Sequence, residues 1–121
     1  MKRFQAGLAL AFTMTIGCVR SHPPATATAP ACADAAANNE RVILAMGARE
    51  GQDMTMMATA GREVYAERCP ADGWSQEIVT CAANAPGADE IMACVEQLTP
   101  AQHQGMVDAF GAKMGGGGGQ E

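Results

Sequence analysis

Four cysteines, Cys32, Cys69, Cys81 and Cys94, fall in a stretch of about eighty residues that holds only three aromatic side chains, Tyr65, Trp74 and Phe110. A core made of these and a modest set of Val, Ile, Leu and Met is marginal, because a small domain buries too little surface to offset the entropy of ordering its chain. What such a chain can fold into therefore depends on what its thiols do. In CPADGWSQEIVTC, residues 69–81, two of them bracket a turn and the start of a helix. As zinc ligands they lack the close pairing that a tetrahedral site uses: the gaps are 36, 11 and 12 residues, and His103 is the only histidine in the stretch. A thiol-disulfide oxidoreductase needs Cys-x-x-Cys at a helix start, which is absent from this sequence. Two structural disulfides remain, and they require an oxidising compartment.

The N-terminus supplies a route to one. MKRFQAGLALAFTMTIGC opens with Lys2 and Arg3, continues in an eleven-residue, mostly apolar run from Ala6 to Ile16, and closes on small residues before Cys18, which is an export signal. The run is shorter than the roughly 20 residues needed to cross a hydrocarbon core. Its end, Thr15-Ile16-Gly17-Cys18, resembles the lipobox of bacterial lipoproteins, with Thr15 where that family usually carries Leu. The resemblance covers the first eighteen residues and implies that residues 1–17 are removed and that Cys18 is acylated. Val19 after the cysteine, by resemblance to Gram-negative sorting signals, implies an outer-membrane destination facing the periplasm. Several acyl chains would hold the protein on a membrane, since each buried methylene contributes about 0.8 kcal/mol. Secretion after cleavage at Ala25-Thr26-Ala27 is the alternative.

Residues 18–31 continue as VRSHPPATATAPA after the cysteine, rich in Pro, Ala and Thr, and read as a mobile tether in which His22 is a solvated residue. Residues 113–121, with Gly115 to Gly119, read as a flexible tail. Loss of the signal leaves six basic against thirteen acidic side chains, a formal charge of −7. That surface argues against nucleic acid, whose phosphates need compensating cations.

Between tether and tail, residues 32–112 read as one all-α bundle of four to five short helices. ADAAANNERVILAM, residues 33–46, sets Ala35, Asn39, Val42 and Met46 at helical spacing, with Gly47 as the stop. Asp53 is the expected cap of a second helix from Met54 to Arg68, with Met57, Ala60, Val64 and Tyr65 inward and Pro70 as its end. Antiparallel packing of these two brings Cys32 beside Cys69. Asp72 to Ser75 start a third helix with Trp74, Ile78 and Cys81 on one face, and Pro86-Gly87 turns the chain. A fourth helix from Ala88 to Leu98 shows Ile91, Cys94 and Leu98 on one face, so Cys81 to Cys94 is the second expected bridge. Thr99-Pro100-Ala101-Gln102 then combines a cap, a first-turn proline and a capping-box glutamine, opening a fifth helix to Ala112 with Met106, Val107 and Phe110 toward the core. The run from Arg68 to Gln102, with Cys69, Asp72-Gly73-Trp74-Ser75, Cys81, Cys94 and Leu98 to Gln102, resembles a pattern of small exported bacterial proteins with a cysteine-stapled helical domain. That resemblance implies the fold and carries no activity.

Catalytic chemistry finds little purchase. Ser75, the domain's only serine, is a helix cap, and no nucleophile-elbow glycine pattern joins it to His103. Asp89 and Glu90 are adjacent on a helix and diverge by about 100 degrees, which suits a charged first turn better than paired acid-base work. Met54, Met56 and Met57 form a thioether cluster suited to Cu(I), the one metal reading the composition offers, against which stands core packing by a flexible side chain. The sequence is therefore expected to encode a non-enzymatic envelope lipoprotein without cofactor, acting as a structural or protein-interaction module toward an unidentified envelope protein. Periplasmic Cu(I) binding through Met54, Met56 and Met57 is the alternative.

Overall fold

The structure is a computed structural model that describes residues 25–115. Five helices account for it: α1 (Ala29–Glu50), α2 (Thr55–Ala71), α3 (Gln76–Asn84), α4 (Ala88–Val95) and α5 (Pro100–Lys113). The longest, α1, is the spine, packing against α2, α3 and α4; α3 also packs on α4, and α5 lies along α2. Both expected disulfides are present. Cys32 and Cys69 join the start of α1 to the end of α2 with Cα atoms 5.8 Å apart, and Cys81 and Cys94 join α3 to α4 at 5.7 Å.

The core is made largely of small residues. Ala35, Ala36, Ala58, Ala60 and Ala82 are buried, which lets helix backbones approach closely around the few large side chains, Trp74, Val64, Val79 and Val95. Trp74 sits at the centre with no exposed surface, and Tyr65 meets its ring edge-on at 5.3 Å between centroids.

Several boundaries differ from the sequence expectation. Helix α1 begins inside the stretch read as a tether, because Thr28 caps it by accepting from the Ala31 N–H at 3.2 Å and Pro30 occupies its first turn. Just before it, Thr26 pairs with Ser75: the Ala27 N–H donates to the Trp74 carbonyl at 2.9 Å and the Gln76 N–H to the Ala25 carbonyl at 2.7 Å. Ala27 is buried under this seam. Residues 25–31, read from the sequence as tether, thus belong to the seam and to the first turn of α1, ahead of the expected boundary at residue 32.

Gly47 is not the stop of α1. The helix passes through it to Gly51, whose φ of 67° is the left-handed conformation that closes a helix, and the Gly51 and Gln52 N–H groups both donate to the Gly47 carbonyl. Gly47 is small for another reason: a Cβ there would lie 2.7 Å from the Gln52 carbonyl oxygen and 2.5 Å from Met54 Cγ, where the returning chain crosses. Asp53 accepts from the Thr55 N–H at 3.0 Å, so it serves the start of α2 from one residue further out than a cap. Bonding to Thr55 holds its carboxyl below the ordinary carboxylate range.

Pro70 does not end α2, which runs to Ala71 and closes in a Schellman turn: Gly73, at φ 62°, donates to the Pro70 carbonyl, and Trp74 donates to that of Cys69. Helix α4 stops at Val95, three residues short of expectation, in turns from Gln97 to Cys94 and from Leu98 to Val95, and Leu98 is buried all the same. The start of α5 is as expected, with both arms of the capping box formed between Thr99 and Gln102.

Candidate functional site

Helix α5 has no fully buried residue. Its ends are held by polar contacts: Gln102 Nε2 donates to the Asp72 carbonyl at 3.0 Å, and Lys113 Nζ reaches Glu67 at 2.9 Å and Glu63 at 3.3 Å. Between those ends Met106, Ala109 and Phe110 touch the core from outside, and neither disulfide reaches this helix. Val107, expected in the core, is 47% exposed. The reason is geometric: α5 packs chiefly on α2, so its apolar stripe is wider than the surface that covers it.

The uncovered part of that stripe forms one wall of an apolar cleft of about 220 Å³. Ile43 and Asn39 enter it from α1, and Gly61, Val64 and Tyr65 from α2. Met92 and Val95 of α4 close the far side opposite Met106, Val107 and Phe110. Met92, 54% exposed, stands on its rim.

Two polar groups are set in this apolar lining. Asn39 lies on the inner face of α1, 7% exposed, and its carboxamide, whose polar atoms still reach solvent, makes no hydrogen bond among the described residues. Its neighbour Asn38 is fully used, donating to the carbonyls of Ala82 and Ala85 at 2.8 Å each and so satisfying the end of α3. Gly61 makes room for Asn39, since a Cβ at that position would fall 2.6 Å from Asn39 Nδ2. The second polar group is Tyr65, whose hydroxyl burial pushes up to about 12 from an ordinary value of 10.0, keeping it a neutral donor and acceptor at any physiological pH. Behind it, Trp74 Nε1 is buried without a partner among the described residues.

The methionine cluster is split by the fold. Met54 lies over Gly47 at the α1–α2 turn, Met57 is half-buried, and Met56 points outward at 70% exposure. Met92 belongs to the cleft instead. Among the described residues no group of three or more His, Cys, Asp or Glu side chains is placed to hold a metal ion. Ser75 Oγ accepts from the Ile78 N–H at 3.2 Å as the cap of α3, and His103 is half-exposed on α5. Asp89 and Glu90 occupy the exposed first turn of α4, where Glu90 folds back over Gly87. Cys18, the expected lipid site, lies outside the described residues. No described helix is long and apolar enough to cross a membrane.

The cleft has a trace in the sequence that reading by periodicity passes over. Asn39 stands in an otherwise apolar stripe with Ala35, Val42 and Met46, and a carboxamide in that position needs a partner. No family model, curated protein or solved structure matches the chain.

Proposed function

We propose that this chain is a lipid-anchored, disulfide-stapled interaction module of a bacterial cell envelope, cut before Cys18 and acylated there, and directed to the outer membrane on its periplasmic side. The observation that carries the interaction reading is the open apolar cleft with the unpartnered Asn39 in its lining. A stapled frame beside an uncovered apolar surface supports a docking role. The two disulfides agree with an oxidising extracellular or periplasmic compartment. The seam at Ala25 to Ala27 supports cleavage upstream: a cut after Ala27 would remove both of its backbone hydrogen bonds and the buried Ala27.

Intact mass of the protein extracted from membranes with detergent tests the anchor and the staples together. The expected species begins at an acylated Cys18 and carries four further cysteines that alkylate only after reduction. A mass beginning after Ala27, or four thiols free without reduction, overturns that part. For docking, a photo-crosslinking residue in place of Val107 should give a discrete adduct in living cells. Its absence there and at a panel of other exposed positions on all five helices overturns the module.

A further inference from the structure

We infer that the cleft between α1, α2, α4 and α5 binds a peptide segment through one apolar side chain, leucine- or phenylalanine-sized, flanked by basic residues. The inference rests on the module reading above and names the chemistry of its partner.

Size points to a single side chain. A volume of about 220 Å³ lies below the range of roughly 300–1,000 Å³ usual for cofactor and small-molecule sites. It holds one large apolar side chain and is too small for an acyl chain or a whole helix face. Polarity points to a peptide. The Asn39 carboxamide, 7% exposed and without a partner among the described residues, presents one donor face and one acceptor face, the complement of a single peptide group. A purely hydrocarbon ligand would leave it unpaired at a cost. The walls suit such a guest: Met92 and Met106 are flexible and polarizable, and α5 is the one wall held without a staple.

Charge selects the flanks. Asp89, one turn before Met92 on α4, Glu96, the cap one turn after it, and Asp108, which follows Val107 and accepts from Gln104 Nε2 at 2.7 Å, lie outside the cleft lining; all three are exposed, and none is in an ion pair among the described residues. With a formal charge of −7 for residues 18–121, a second copy would meet like charge, whereas Lys or Arg on either side of the anchor meets these carboxylates.

The test uses the oxidised protein as the cell matures it, with methyl-labelled methionine, titrated with blocked five-residue peptides. The probes carry two lysines on each side of a central leucine, phenylalanine or serine, and a leucine peptide carries glutamates instead. The leucine and phenylalanine lysine peptides should shift the methyl signals of Met92 and Met106 and leave that of Met56 in place. Serine at the centre, or glutamate flanks, should weaken binding at least ten-fold. Val107→Glu, on the exposed rim, should abolish the shifts with the fold intact, and Asn39→Ala should weaken binding several-fold. Equal shifts with the serine peptide would mean charge alone and overturn the inference. So would movement of the same methyls on raising protein concentration alone, which marks a second copy as the occupant. If no peptide moves Met92 or Met106 while a crosslinker elsewhere on the surface still captures one envelope protein, the cleft inference falls and the module stands. If neither responds, both fall.

Discussion

Removing the two disulfides one at a time should show that the longer loop holds the fold. The bridges span 37 and 13 residues of sequence, closing loops of 38 and 14. In the chain-entropy model those loops contribute about 4 and about 3 kcal/mol. Against a total of roughly 5–15 kcal/mol for a domain, either loss is large. Cys32 and Cys69 are 2% and 1% exposed and tie the spine helix to α2, so replacing both by alanine also opens the densest contact in the molecule. Urea unfolding followed by the fluorescence of Trp74, the only tryptophan, reads the outcome. With a slope of about 2 kcal/mol per molar urea, Cys32→Ala with Cys69→Ala should lower the midpoint by about 2 M, and Cys81→Ala with Cys94→Ala by about 1.5 M. The kinetic order runs the other way. Cys81 is half-exposed while both partners of the longer bridge are buried, so a mild reductant followed by alkylation should label Cys81 and Cys94 first. A larger stability loss from the shorter bridge, or losses below about 1 kcal/mol from both, would refute the loop-entropy account.

Alkaline pH should destabilise the domain through Tyr65, the only tyrosine: its folded value of about 12 lies above the ordinary 10.0, so the unfolded chain loses that proton first. The stabilisation is fully present below about pH 10 and is lost between about pH 10 and 12, by roughly 2–3 kcal/mol; Tyr65→Phe should flatten that slope, and tyrosinate absorbance from the folded protein near pH 10 would contradict it. Gly47→Ala should destabilise by about 1–3 kcal/mol, because the clash with the Gln52 carbonyl outweighs a helix-propensity gain of up to about 1 kcal/mol. Gly111→Ala, on α5 with open space around it, should stabilise by about 0.5–1 kcal/mol, and the same sign for both glycines in parallel urea melts would refute the crossing geometry. Excess Cu(I) should leave the melting temperature of the protein and of Met56→Leu alike; a metal-dependent rise abolished by that substitution would make the methionine cluster a site.

The bridges were legible in the sequence because helix starts and stops are written locally. Thr99 to Gln102 spells a capping box, Ser75 a cap, and antiparallel packing of the first two helices puts Cys32 beside Cys69 without further information. The N-terminal boundary was not legible, since the seam joins Thr26 to a residue almost fifty positions away and a Pro/Ala/Thr composition resembles a tether. Thr28 followed by Pro30 was a helix-start signal in plain view. Gly47 was the expected stop, and the left-handed conformation that closes α1 falls four residues later, at Gly51. For Val107, periodicity showed which side chains share a stripe; how much of the stripe is covered depends on the breadth of the neighbouring helices, a property of the assembled bundle. The cleft is the remainder of that mismatch, marked in the sequence only by Asn39.

The Ala25 seam sets a short leash. With its carbonyl pinned to Gln76, Ala25 lies seven residues after Cys18, the proposed anchor, and seven peptide steps at about 3.3–3.6 Å span no more than about 25 Å. A domain of this size has a radius of gyration of about 12 Å, so an anchored copy works in a layer about one of its own diameters deep. For a copy anchored in this way, the partners met most often would be those embedded in, or tied to, the same membrane surface. Confining two tethered species to one thin layer raises the concentration at which each meets the other. On the proposed reading, a cleft that takes a single side chain would need only modest affinity to hold such a neighbour.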